Sequence, residues 1–376
     1  MKQFRKNRCL RAAAIVIIVT AALYFPLPRA AADSEKHEIE STLNHIFQER
    51  AEMLLHPQSE AVNNYYLPDK SSQMALEHER FRAEYVTSWA DKRTIKLTSS
   101  ESGIRIIRQS IIGDMARISL VQSHKVGYVY INKVTMPEQV FGVGTRHSLT
   151  LKKDNGAWKI AREWYLDPLD EDPRKIAEGP ERAASSPKAK LEPGDGKKYK
   201  RKRAVQYAHK YAGAAWGAGN QHHYNQKYLD YTSKGGDCTN FASQVIGDQE
   251  EGGGLPIAGG WRYFANSGGT QTWVQTDAFS NFLIRSGYGK LIAKGDYQHI
   301  ATPSPKHPEG AIAELQPGDL IGYILRHDDT DHFSIVVGFD DRGYPLVDSH
   351  TADRYRVPFD LGWDRNTKYQ LFHIRD

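Results

Sequence analysis

Of the two cysteines in the 376-residue chain, Cys9 and Cys238, only Cys238 stands in a setting suited to chemistry. It lies in Gly235-Gly236-Asp237-Cys238-Thr239-Asn240-Phe241, behind a glycine turn and ahead of the apolar positions Phe241, Ala242 and Val245. That spacing predicts a helix that opens at Cys238 and buries those three residues. A sulfur at a helix N-terminus faces the positive end of the dipole, which favours the nucleophilic thiolate. The unpaired amides of the first turn can also bind an oxyanion. Asp237 reads as a cap of this helix, and Asn240 as a residue that fixes its first turn. The plain alternative is a buried, inert thiol.

A thiol nucleophile needs a base within hydrogen-bond reach. His332 opens the apolar run His332-Phe333-Ser334-Ile335-Val336-Val337-Gly338, which predicts a strand that anchors an imidazole at its first position. A third polar group would fix the orientation of that ring. The next strand-like run, Leu346 to Thr351, offers Asp348 and His350, two apart and so on one face. A five-residue loop from Phe339 to Gly343 would set His350 opposite His332.

These residues need a scaffold. Helices are expected over 203–212, 238–246 and 273–287, and strands over 332–339 and 346–351, with a turn and a strand within 315–325. Upstream, Ile39, Leu43, Ile46 and Leu54 mark an amphipathic helix over 34–56, and a second helix covers 71–90. Period-two patterning then predicts strands at 103–112, 115–123, 126–132, 145–153 and 157–165. Helices followed by a curved antiparallel sheet form an α+β accessory domain over 33–167. Residues 168–198, rich in Pro, Ala, Ser, Glu and Lys, read as a linker. Its basic end reads as a solvated helix turn or as an attraction to an anionic cell-wall polymer. A second domain covers 199–376.

Five pieces of that second domain, YKRKRAVQYAHKYA, GGDCTNFASQ, LQPGDLIGY, DHFSIVVGF and LVDSHTADR, resemble in order the bacterial amidase domain family. That family is related to the NlpC-type cell-wall peptidases and more distantly to papain. The resemblance implies a papain-like fold, half helix and half sheet, and cysteine acyl transfer. Cys238 would be the nucleophile, His332 the base, and His350 or Asp348 the third residue, with His350 favoured. The implied substrate is a peptide or other amide, with peptidoglycan as one candidate. The segment LTLKKDNGAWKIAREWYLD resembles the last hairpin of the nuclear-transport-factor-like cone fold.

The N-terminus reads as a secretory signal peptide over residues 1–32: a basic stretch, the uncharged apolar run Ala12–Phe25, then Ala30-Ala31-Ala32. The expected location is secreted or in the cell envelope, with no stable membrane span after cleavage. The net charge of +5 becomes −1 without the six bases of residues 1–32, which leaves no general case for nucleic-acid binding. No cofactor is expected. His222-His223 lacks the partner spacing of a metal site, and Asp328, Asp329 and Asp331 lack the full pattern of a calcium loop. Trp261, Tyr263 and Trp273 could line a cleft or fill a core, and Tyr228 could approach the thiol. Two other functions stay open: a non-catalytic envelope-binding protein on the same fold, and a cysteine acyltransferase or transpeptidase.

Overall fold

The computed structural model describes residues 29–132, 137–179 and 194–376. The signal-peptide expectation falls on residues that lie almost wholly outside these. The chain divides into two compact units, Met1–Ile39 and Glu40–Asp376.

Helix α1 spans Arg29–Glu52 and α2 spans Lys70–Lys92. Asp69 caps α2 by accepting from the amides of Ser71 and Ser72. Four long strands follow: β1 Ile95–Ile112, β2 Met115–Tyr130, β3 Gln139–Asp154 and β4 Ala157–Tyr165. The two strands expected over 115–132 are one. The polar stretch that read as a break is paired instead: Ser123 Oγ donates to the Ala214 carbonyl, and His124 lies 2.9 Å from Ser100 Oγ.

After α3 Arg201–Tyr211 and α4 Cys238–Gly247 come β5 Tyr263–Phe264, β6 Gly268–Gly269, α5 Gln271–Val274 and α6 Thr276–Ser286. The single helix expected over 273–287 is broken at Gln275, whose backbone is extended. The chain ends with β7 Gly289–Asp296, α7 Tyr297–Ala301, β8 Leu320–Ile324, β9 His332–Phe339, β10 Pro345–Ser349, β11 Asp353–Pro358 and β12 Lys368–Ile374.

The architecture is α+β around one large antiparallel sheet. Its order is β1-β2-β3-β11-β10-β9-β8-β12-β7, and β4 pairs with β3 beside that path. Because β11 pairs with β3, segments 40–167 and 199–376 share this sheet. Buried polar pairs join them too: Trp89 and Arg93 donate to Asp360, and Tyr128 and Tyr130 to Asp340. The described part of the expected linker is packed, with Leu169 and Ile176 buried. One face of the β7–β12 region packs against α3, α4 and α6 through Phe241, Val245, Phe279, Phe333, Ile335 and Val337. The opposite face carries Ile321, Tyr323, Val336, Val347, Phe359 and Tyr369. Strand alternation assigns neighbouring residues to these two layers.

Candidate active site

Cys238 begins α4, as the sequence predicts, and is 7% exposed. It lies in a cleft of about 530 Å³ whose other walls include Tyr231, Lys234, Gly236, Asp277 and Asp331. Gly235 and Gly236 have φ of +108° and +124°, a backbone open to glycine and strained for other residues. The glycine pair therefore lets the chain turn sharply into the helix.

The sulfur sits among polar groups. Thr239 Oγ1 lies 3.8 Å away, and the backbone of Phe333 and of Thr239 lowers the thiol's pKa. These groups favour thiolate, but burial is the larger effect and pushes the thiol up from its ordinary value. The helix-dipole expectation of a thiolate at rest is thus outweighed by desolvation.

Asp237 does not cap α4 with its side chain. Its carboxylate accepts from the Tyr231 amide at 2.9 Å, from Asn240 Nδ2 at 2.9 Å and from His350 Nδ1 at 2.6 Å. The Asp237 amide donates to Thr351 Oγ1. Asp237 thus ties the cysteine turn to the end of β10, and leaves the first-turn amides free of a side-chain cap. Asn240 fixes that turn as expected, and its Oδ1 accepts from Trp273 Nε1.

His350 is buried between the rings of Tyr224 and Phe241, at 3.6 and 3.8 Å between centroids. Its Nε2 lies 2.6 Å from the Tyr211 carbonyl, so both ring nitrogens face acceptors. Nδ1 donates to the Asp237 carboxylate, and Nε2 is turned to the Tyr211 carbonyl. Asp348 is fully buried; it accepts from the Arg356 amide and lies 2.8 Å from His209 Nδ1.

His332 opens β9 as predicted, but its ring lies against Tyr323 and Trp363, each 5.5 Å away between centroids. That is the layer opposite Phe333 and α4. Its Nε2 is buried and has no hydrogen-bond partner among the described residues. Burial, and then the nearby Arg354 cation, hold its pKa down at about 3. Among the described residues the Arg354 guanidinium donates only to carbonyls, those of Leu361 and Pro168, and burial lowers its pKa as well.

The four predicted residues are therefore not assembled as one hydrogen-bonded set. Cys238 and β9 meet through the Phe333 backbone, one residue from His332. His350 meets the cysteine side through Asp237, and Asp348 meets His209. Among the described residues no hydrogen bond joins His332 to Cys238, Asp348 or His350. The register explains part of this. Leu346 pairs with Gly338 but Val347 with Val336, so an irregularity shifts β10 and Asp348 pairs with Ile335. His350 lies beyond the strand, so the assumed alignment with His332 does not form.

Trp261 and Trp273 are core residues, stacked 4.9 Å apart. Tyr228 donates to Asp248 rather than reaching the thiol. Lys234, Asp277 and Asp331 also line the cysteine cleft, though their spacing from Cys238 does not announce it. The one available signal was that Asp331 precedes the strand by a single residue. A larger cavity of about 730 Å³, lined by Arg105, Arg146, His222, His223 and Tyr224, does not include the cysteine. Among the described residues no group of three or more His, Cys, Asp or Glu side chains is placed to hold a metal ion.

A comparison with curated proteins gives no match. Among solved structures the chain is similar to a "putative ca/calmodulin-dependent kinase ii association domain" from Exiguobacterium sibiricum. That likeness has 15% identity and a TM-score of 0.21, and covers 36% of this chain and 95% of that one. It is also similar to the intermembrane space region of chloroplast protein ARC6, at 11% identity and a TM-score of 0.20, covering 37% and 97%. Both likenesses are too slight to support an argument. Residues 198–373, the segment that holds Cys238, His332, Asp348 and His350, match the model of the family described as "Putative amidase domain".

Proposed function

We propose that residues 198–373 form a cysteine-dependent amide hydrolase of an exported protein, with cell-wall peptide as its substrate. One observation carries the reading: the single thiol among the described residues opens a helix inside a cleft, and no side chain caps that helix's first turn. The match to an amidase domain and the basic, apolar N-terminus support it. In the proposed reaction Cys238 Sγ attacks the amide carbon while His332 takes the thiol proton. The carbon–nitrogen bond then breaks, and the amine leaves with that proton. Water, deprotonated by the same imidazole, cleaves the thioester and returns the thiol. First-turn amides of α4 would hold the oxyanion.

At rest the thiol and imidazole are both neutral and are not in contact. The reaction therefore requires His332 to leave the Tyr323–Trp363 layer when substrate enters the cleft. Asp237 and His350 keep the nucleophile's turn in place. The same missing contact favours a second reading, a binding protein that retains the fold without turnover. The deciding experiment incubates the purified chain with peptide amides, cell-wall fragments among them, and identifies products by mass. Cleavage that is lost in Cys238→Ala and in His332→Ala supports the hydrolase. Binding without cleavage supports the second reading. A product joined to an added amine would make the enzyme an acyltransferase.

A further inference from the structure

The outer face of strands β1 to β4 carries cations in cross-strand rows. Arg105 pairs in register with Val121, and Val121 with Arg146. The next row is Arg108, Ser119, Ser148 and Trp164; the next is Ser110, Arg117, Thr150 and Arg162. The last is Ile112, Met115, Lys152 and Lys159. Inward neighbours such as Ala116, Ile118, Leu149 and Leu151 are buried, which fixes this set as the outer one.

Arg146 pairs with Asp353, and Lys159 with Asp154. Arg105, Arg108, Arg117, Arg162 and Lys152 have no ion pair among the described residues. The carboxylates near this face are Glu101, paired with Lys125 beyond the Arg105 row, Asp170 beside Trp164, Asp114 and Asp154 at hairpin turns, and Asp230 on the rim of the 730 Å³ cavity, which Ile107 and Trp164 also line. Apolar tips stand among the cations. Ile112 is 74% exposed, Trp164 70% and Ile107 56%, with Met115 exposed beside them.

We propose that this face docks onto an anionic lipid bilayer. Unpaired arginines supply attraction to acidic headgroups, and Trp164, Ile107, Ile112 and Met115 supply apolar tips at the depth of the headgroup–acyl boundary. A soluble polyanion would use the arginines but would leave Ile112 and Met115 in water. Trp is suited to such an interface because its ring is apolar and its N–H polar.

The test uses the full chain and reads Trp164. The apolar run Ala12–Phe25 contains no tryptophan, so it is silent in this measurement. Trp fluorescence is followed while vesicles of phosphatidylglycerol mixed with brominated phosphatidylcholine are added, and again with brominated phosphatidylcholine alone. The proposal expects quenching on the anionic vesicles only, lost in Trp164→Phe. In Arg108→Gln/Arg117→Gln/Arg162→Gln the lipid concentration for half-quenching should rise about 100-fold, at about fivefold per arginine. Circular dichroism checks that both variants are folded. Equal quenching on neutral vesicles, or quenching unchanged in the triple variant, would overturn the proposal. So would binding to soluble polyphosphate with Trp164 left unquenched by vesicles, which would make the face a polyanion site.

Discussion

Replacing His350 with alanine separates a positioning role from an orienting role for the base. In the structure His350 Nδ1 donates to Asp237, Nε2 lies 2.6 Å from the Tyr211 carbonyl, and the ring fills the gap between Tyr224 and Phe241. His350→Ala leaves the Asp237 carboxylate, 1% exposed, without its 2.6 Å imidazole partner. Removing one partner of a buried pair costs about 3–5 kcal/mol. At about 2 cal/mol/K of unfolding entropy per residue, over the roughly 340 residues of Glu40–Asp376, that is a drop of about 4–7 °C in Tm. Neutralising the stranded acid should restore part of this: Asp237→Asn/His350→Ala should recover about 1–3 kcal/mol relative to additive losses. The assay is a double-mutant cycle by thermal denaturation of the full chain, read by circular dichroism, with kcat measured on the same preparations. A Tm within about 1 °C of the parent, with kcat reduced 10-fold or more, would refute the reasoning and return His350 to the role of orienting His332.

Three further outcomes are expected. Burial raises the Cys238 thiol, so iodoacetamide should label the free protein more slowly than a model thiol at neutral pH and gain rate at alkaline pH; rapid labelling at mildly acidic pH would contradict this. His332 and His124 stay neutral when folded down to about pH 3, whereas unfolded histidines take up protons near 6.5. Their contribution is therefore full above about pH 6.5 and is lost as pH falls toward 3, by about 1.4 kcal/mol per pH unit for each ring. His332→Phe should flatten the slope seen in urea unfolding between pH 7 and 5, and an unchanged slope would count against its buried neutral state. Arg93→Met strips Asp360 of its cation and should destabilise the chain by about 3–5 kcal/mol, measured by urea midpoint; a change under about 1 kcal/mol would mean that Trp89 and Tyr344 suffice to hold the acid.

The start of α4 at Cys238 and of β9 at His332 was legible because apolar periodicity resumes abruptly after a glycine turn and after an acidic loop. The α+β class was legible for the same reason. Side-chain direction at His332 was not, because it depends on the alternation of β9 relative to the helix layer and on an irregularity in β10 that no residue type marks. Strand β11 was not legible because Asp353 and Arg354 are buried polar residues, satisfied by Tyr224 and by the carbonyls of Leu361 and of Pro168, the latter far away in sequence. The packed stretch around Leu169 and Ile176 hid inside a composition typical of linkers. The role of Asp237 was half legible: its place before the cysteine suggested a cap, while its true partners, Tyr231, Asn240 and His350, required the tertiary fold.

The central claim is that Cys238 attacks an amide carbonyl. The most direct measurement is mass spectrometry of the full chain mixed with cell-wall peptide fragments and other peptide amides. It should find cleaved substrate together with an acyl mass on the peptide containing Cys238, and neither should occur with Cys238→Ala. Substrate cleaved at an undiminished rate by Cys238→Ala would contradict it.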